Sequence, residues 1–194
     1  MNDRIRDIDF IRGRVPMTKE EIRILSLAKL GLSNASIVYD VGAGTGSVAI
    51  EAARIADEGR VFAIERNPEA ISLIHANREK FRVVNLEVIE GDAPGCLEEL
   101  PAPTHVFIGG SGGALEQIVQ SVRLKNPNAR FVVNAITLET VAALHRLSCA
   151  YEPYADMELI QVGISRSRRM GEHHLMLAEN LVYIAAFGGE EAGR

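Results

Sequence analysis

Two rhythms of apolar and polar positions alternate along the chain. Short apolar runs rich in β-branched residues occupy residues 37–41, 60–64, 86–90, 104–108 and 130–135. Their length and composition predict strands buried on both faces. Between them, apolar residues fall at helical spacing. Ile22, Leu25, Leu27 and Leu30 mark a helix over residues 18–30, and Ile71 and Ile74 mark one over 68–81. Thr18 and Glu21 have the spacing of a capping box, Gly31 stops the first helix, and Asn67-Pro68 starts the second. Residues 8–17 show no regular pattern. Further strands are expected at about 157–165 and 181–187, and a further helix ends at about Ala150. Strands alternating with helices predict an α/β fold around a largely parallel sheet, and 194 residues suffice for one full core.

The chain is organised around Ile37-Val-Tyr-Asp-Val-Gly-Ala-Gly-Thr-Gly-Ser-Val-Ala-Ile50. A strand, a glycine loop and a helix in this order form a nucleotide-type cradle. Glycine lets the backbone turn sharply and approach a ligand, and the helix start offers free N–H groups. Ser47 stands where a dinucleotide fingerprint needs its third glycine, and no Lys follows Gly46 as a phosphate loop requires. The pattern Asp40-Val41-Gly42-Ala43-Gly44-Thr45-Gly46 resembles instead the first motif of Rossmann-like methyltransferases that use S-adenosylmethionine (SAM). In those enzymes the loop holds the methionine carboxylate and the ribose. Glu65 follows Gly46 by 19 positions and ends the second strand, close to the spacing of about 20 for an acid that accepts from ribose hydroxyls. Under the same reading Asp92 accepts from the adenine amino group and Ala93 donates its backbone N–H. Taken by itself, Asp92 is a helix N-cap.

Composition narrows the function. Lys+Arg total 21 against 26 Asp+Glu, which argues against a general nucleic-acid binder. Aromatic residues make up only 5% and Trp is absent, which argues against the basic, aromatic stacking face of an RNA-modifying enzyme. Cys96 and Cys149 form no ligand-spaced pair and fit free thiols in a reducing cytoplasm. The charged first residues contain no apolar signal core, and no apolar run approaches the ~20 residues of a membrane span. No metal site is expected. His75 has no His, Cys or Asp at helical spacing, and adjacent His173 and His174 would point to opposite faces of a strand.

The fourth strand runs into Gly109-Gly110-Ser111-Gly112-Gly113 at the end of the sheet where α/β ligands bind. Ser111 alone is read as a cap of the next helix. The run Arg166-Ser-Arg-Arg-Met-Gly171 reads as an exposed basic turn, with a solvated hairpin as the alternative.

Several stretches resemble the decarboxylating cobalt-precorrin-6B C(15)-methyltransferases of anaerobic cobalamin synthesis. They are Phe10-Ile-Arg-Gly-Arg-Val-Pro-Met-Thr-Lys-Glu-Glu-Ile-Arg23, Asp40 to Gly46, Glu65-Arg-Asn-Pro-Glu-Ala-Ile71, Glu90-Gly-Asp-Ala-Pro94, Ile108-Gly-Gly-Ser-Gly-Gly113 and Asn134-Ala-Ile-Thr-Leu-Glu139. The Pro-Met-Thr-Lys entry, the Gly-Gly-Ser-Gly-Gly loop and the Asn-Ala-Ile-Thr-Leu-Glu stretch are the particular ones. Asn180-Leu181 departs from a common Asn-Pro. A related domain forms the C-terminal half of the aerobic precorrin-6Y methyltransferase, and a chain without an extra N-terminal domain favours the cobalt type.

The resemblance implies a single class I methyltransferase domain over 1–194, with an antiparallel last strand in a seven-stranded sheet. It implies SAM as methyl donor, a small tetrapyrrole substrate and a cytoplasmic homotetramer. Methylation falls on carbon 15, with loss of carbon dioxide from the ring C acetate. Thr18, Asp40, Gly42 to Gly46, Glu65 and Ala93 would contact SAM, with Asp92 at the adenine. Arg12, Arg14, Arg166, Arg168 and Arg169 are candidates for the substrate carboxylates. No residue is assigned an acid or base role, and Gly109, Gly110 and Ser111 are expected to position the macrocycle. The competing readings are the metal-free precorrin-6Y reaction, a methyltransferase acting on RNA or protein, and a non-catalytic nucleotide-binding scaffold.

Overall fold

A computed structural model describes residues 4–150, 154 and 157–189. Five helices, α1 (Glu20–Leu30), α2 (Ser47–Ile55), α3 (Pro68–Lys80), α4 (Leu115–Lys125) and α5 (Leu138–Ala150), alternate with strands β1 (Ile37–Val41), β2 (Arg60–Glu65), β3 (Leu86–Glu90), β4 (His105–Ile108) and β5 (Arg130–Ala135). After α5 come β6 (Glu158–Val162), β7 (Ser165–Met170), β8 (His173–Ala178) and β9 (Val182–Gly188). Seven strands form one sheet in the order β3-β2-β1-β4-β5-β9-β6. Neighbours from β3 to β5 are parallel, and β9 is antiparallel to both β5 and β6.

Alternation along the strands divides the core. Val38, Val61, Ala63 and Phe107 face α1, α2 and α3, whereas Tyr39, Phe62, Ile64 and Val106 face α4 and α5. Strand order reverses between β1 and β4, which opens a crevice at their carboxyl ends.

Five local expectations are corrected. No capping box forms. Helix α1 starts at Glu20, the N-cap is Lys19 without a side-chain bond, and Glu21 pairs with Arg166 at 2.6 Å. Thr18 contributes only its carbonyl, which accepts from Arg23 Nη1 at 2.8 Å. The sixth strand stops at Val162, and the basic run is not a turn. Residues 166–170 belong to β7, which pairs with β8 as a separate hairpin. Ser111 does not cap α4, whose N-cap is Ala114 without a side-chain bond. Asp92 caps no helix with its side chain, because Pro94 precedes the following 3-10 turn. A second short 3-10 turn, Asp7–Asp9, lies in the otherwise irregular N-terminal segment.

That segment is a strap held by buried polar groups. Arg23 is fully buried. It donates to Glu51 at 2.6 Å, Asp7 at 3.0 Å and the carbonyls of Thr18 and Ile5. Asn77 is equally buried. Its Oδ1 accepts from Ile11 N at 2.7 Å, and its Nδ2 donates to Ile11 O and Thr45 O. Pairing of this kind makes burial of such groups affordable.

Candidate cofactor and substrate site

A cavity of about 350 Å³ opens where β1, β2, β3 and β4 end. Its floor is the glycine loop, and the N–H groups of Gly42 and Ala43 anchor that loop to Ile64 O at 3.0 and 3.2 Å. Gly42, Gly44 and Gly46 all have positive φ, at 71°, 57° and 77°, a conformation that costs an L-residue roughly 1–2 kcal/mol. The glycines are also required by contact. A Cβ on Gly42 would lie 2.5 Å from Gly110 O, and one on Gly44 would lie 2.8 Å from Pro16 O.

Glu65 grips this loop. Its Oε2 accepts from Gly44 N at 2.9 Å, and its Oε1 accepts from the N–H groups of Arg66 and Asn67, each at 2.9 Å. Each oxygen has two lone pairs, so Oε2 keeps one for a ligand hydroxyl. The wall beyond β3 carries Asp92 and Ala93. Asp92 pairs with Arg66 Nη1 at 3.1 Å, and the Arg66 guanidinium also approaches the place of a Gly112 side chain at 3.8 Å. Arg66 therefore spans the mouth between β3 and the loop after β4. Gly109 N and Gly110 N donate to Val41 O at 2.9 and 3.3 Å, which holds this second loop against the first.

Asp40 lies below the cavity, 1% exposed, and among the described residues neither carboxylate oxygen has a partner in hydrogen-bond geometry. Burial raises its pKa to about 7. The nearby Ala49 N–H at the start of α2 partly offsets this, and the Glu65 charge adds to it. Thr45 Oγ1 is likewise buried without a partner.

The fold thus brings Gly42, Gly44, Glu65, Asp92, Ala93, Gly109, Gly110 and Ser111 to one cavity. Asp40, Ala43, Thr45 and Gly46 support it from below, and Thr18 does not line it. Arg12 and Arg14 are exposed on the strap beside its rim, where Arg14 N donates to Glu69 at 2.8 Å. Arg168 and Arg169 are exposed on the β7–β8 hairpin. Arg166 is already balanced, at 2.6 Å from Glu21 and 3.0 Å from Glu179. Sequence reasoning missed Val15 and Pro16 of the strap, Arg66 and Asn67 after β2, and Ile118 of α4. Arg66 could have been found from its position next to Glu65, the acid that ends β2. The others arrive through contacts distant in sequence.

The two glycine loops, the acid at the end of β2 and an Asp-Ala pair after β3 describe a pocket for an adenosine-bearing ligand. A family model described as "Precorrin methyltransferase domain" matches residues 10–185. The chain belongs to the precorrin methyltransferase family. It is a methyltransferase, with S-adenosylmethionine as methyl donor. It is 40% identical over 185 residues to a protein of Sulfolobus acidocaldarius named probable cobalt-precorrin-6B C(15)-methyltransferase (decarboxylating), covering 93% of this chain and 94% of that one. The Salmonella typhimurium cobalt-precorrin-6B C(15)-methyltransferase (decarboxylating) is 39% identical over 190 residues, with 96% and 97% covered. A solved structure described as precorrin 8W decarboxylase, from Methanobacterium thermoautotrophicum, superimposes with a TM-score of 0.87 at 33% identity, covering 95% of this chain and 99% of that one. The mostly parallel seven-stranded sheet of this methyltransferase is the one expected of its class.

The donor set fits the cofactor. The positive-φ glycines leave open backbone, and Glu65 keeps an acceptor beside them. Among the described residues no group of three His, Cys, Asp or Glu side chains could hold a metal, and no helix is long and apolar enough to cross a membrane.

Proposed function

We propose that this methyltransferase methylates carbon 15 of cobalt-precorrin-6B and releases the ring C acetate as carbon dioxide. The observation that carries the reading is the cavity itself. An adenosine half, built on Glu65, Asp92 and Ala93, adjoins a bare backbone shelf at Gly109 and Gly110. SAM supplies an already activated methyl group, so the chain's contribution is orientation and exclusion of water. Glu65 and the glycine loop hold the nucleoside, Asp92 takes the adenine amino group, and Arg66 crosses the mouth. Gly109, Gly110 and Ser111 let a flat macrocycle approach the methyl group, with no proton transfer assigned to them. Arg12, Arg14, Arg168 and Arg169 bind its carboxylates, and Arg166 keeps the hairpin against α1.

The whole chain, 1–194, is read as one domain that acts in the cytoplasm, in keeping with two unpaired cysteines. It assembles as a homotetramer. Support comes from the β7–β8 hairpin, exposed along both strands, where Met170, Leu175, Met176 and Leu177 remain 41–66% exposed. Sedimentation should then give four times the 21.1 kDa chain.

Turnover with labelled SAM decides the reaction. Cobalt-precorrin-6B should yield S-adenosylhomocysteine and carbon dioxide in equal amounts, and the metal-free macrocycle should react more slowly. Methylation without carbon dioxide would overturn the decarboxylating assignment.

A further inference from the structure

A second polar cavity lies at the opposite pole of the sheet. The starts of β4 and β5 meet the end of β9 and the last turn of α1 around about 700 Å³, lined by Lys29, His105, Asn128 and Arg130 among others. The length of β4 alone, from His105 to Ile108, puts about 10 Å between this cavity and the methyl-transfer site.

Charge here is unbalanced. Lys29 Nζ pairs with Glu158 at 2.7 Å. Arg130 has no carboxylate within pairing distance among the described residues. Its Nε donates to Lys29 O at 3.2 Å and its Nη1 to Gly188 O at 2.9 Å. A guanidinium has five N–H groups, so three have no protein acceptor among the described residues. Burial disfavours the Arg130 charge, and Glu158 only partly offsets this. Asn126 is committed, because its Nδ2 donates to Pro103 O and its Oδ1 accepts from Asn128 N. The Asn128 carboxamide is free at the rim.

His105 completes the wall. The Thr104 hydroxyl donates its one proton to Ile37 O at 3.0 Å. In its 2.8 Å contact with His105 Nδ1 the oxygen must therefore accept, and Nδ1 carries the proton. Nε2 of the neutral ring is then an acceptor. Burial lowers the His105 pKa, and so does the Arg130 charge. Among the described residues, the charged groups around the ring are Arg130 from β5, Lys29 from α1 and Glu158 from β6.

We propose that this cavity is a second ligand site, which takes a small carboxylate or phosphate against the free edge of the Arg130 guanidinium. A planar guanidinium matches either oxyanion with two parallel N–H donors. The bound charge favours protonation of His105, so binding takes up a proton and weakens as pH rises. The structural role of Arg130, holding the last-turn carbonyl of α1, uses other N–H groups and coexists with it.

Histidine NMR on the full chain tests this, with His105 assigned through His105→Asn. Inorganic phosphate and citrate are titrated separately at about pH 6 and about pH 8. At least one should shift the His105 ring signals saturably, and with the anion's own ionisation accounted for its affinity should be severalfold higher at the lower pH. Saturation by phosphate alone, or by citrate alone, assigns the headgroup. Asn128→Asp places a competing carboxylate at the rim without touching the Arg130 bonds, and should weaken binding about tenfold. Arg130→Gln should abolish it. Both variants should bind S-adenosylhomocysteine as the parent does, which also shows that they are folded. A shift that stays linear in anion concentration, or an undiminished response in Asn128→Asp, overturns the proposal.

Discussion

Gly110→Val isolates positioning from every other contribution to catalysis. The Gly110 backbone is not in the left-handed region, and a Cβ built there meets no protein atom within 4 Å. The first carbon of a valine side chain therefore meets open space there, on the side of the cavity proposed for the substrate. A branched carbon thickness between loop and macrocycle displaces the acceptor by more than about 1 Å, and a displacement of that size costs on the order of a hundredfold in rate. Gly42→Ala is the contrasting perturbation in the facing loop. Its φ of 71° and the 2.5 Å approach of its Cβ to Gly110 O both resist a side chain. Left-handed strain of roughly 1–2 kcal/mol predicts a melting temperature lower by several degrees, since about 1 kcal/mol is about 2–4 °C at this size. Scanning calorimetry, titration with S-adenosylhomocysteine and single-turnover methyl transfer separate the two. Gly110→Val should melt and bind cofactor product like the parent yet turn over at least about a hundredfold more slowly. Gly42→Ala should lose stability, cofactor affinity and rate together. A Gly110→Val enzyme with parental turnover would refute the positioning argument.

Glu65→Ala removes the acceptor of three backbone N–H groups. Charge-assisted hydrogen bonds are each worth roughly 1.5–3 kcal/mol, so affinity for S-adenosylhomocysteine measured by calorimetry should fall at least about tenfold; an unchanged value means the residue is a loop brace alone. Arg66→Ala releases Asp92 and opens the cavity mouth, so the dissociation rate of S-adenosylhomocysteine should rise severalfold with little change in melting temperature, because the pair is exposed. Asp40 supplies a pH signature. Its folded pKa of about 7 lies above its ordinary value of 3.8, so the native state binds the extra proton and stability falls as pH rises from about 4 to about 7. In Asp40→Asn that slope should disappear from urea midpoints measured across the range, and a slope identical to the parent's would show that Asp40 ionises freely.

What can be read along the chain is what local chemistry decides. The glycine loop, the strand before it and the acid at the end of β2 are set by residues within one βαβ unit. Their order and spacing therefore carry strand, turn, helix start and the carboxylate that closes on the loop together. The Asn67 cap and Pro68 are equally local, and Asn67 Oδ1 does accept from Glu69 N at 2.9 Å. The capping box fails for the complementary reason. Thr18 and Glu21 have the right spacing, but the tertiary partners Arg23 and Arg166 claim the carbonyl of one and the carboxylate of the other. Only the folded chain brings Asn77 to Ile11 and Arg23 to Asp7 and Glu51, and so makes the strap a wall of the site. Sequence separation hides such pairs, because a buried guanidinium or carboxamide takes whatever partner packing delivers, and no local propensity names it. The polar cavity at Arg130 is of the same kind. It exists because β4, β5, β9 and α1 converge there, and the motif of one βαβ unit says nothing about that pole.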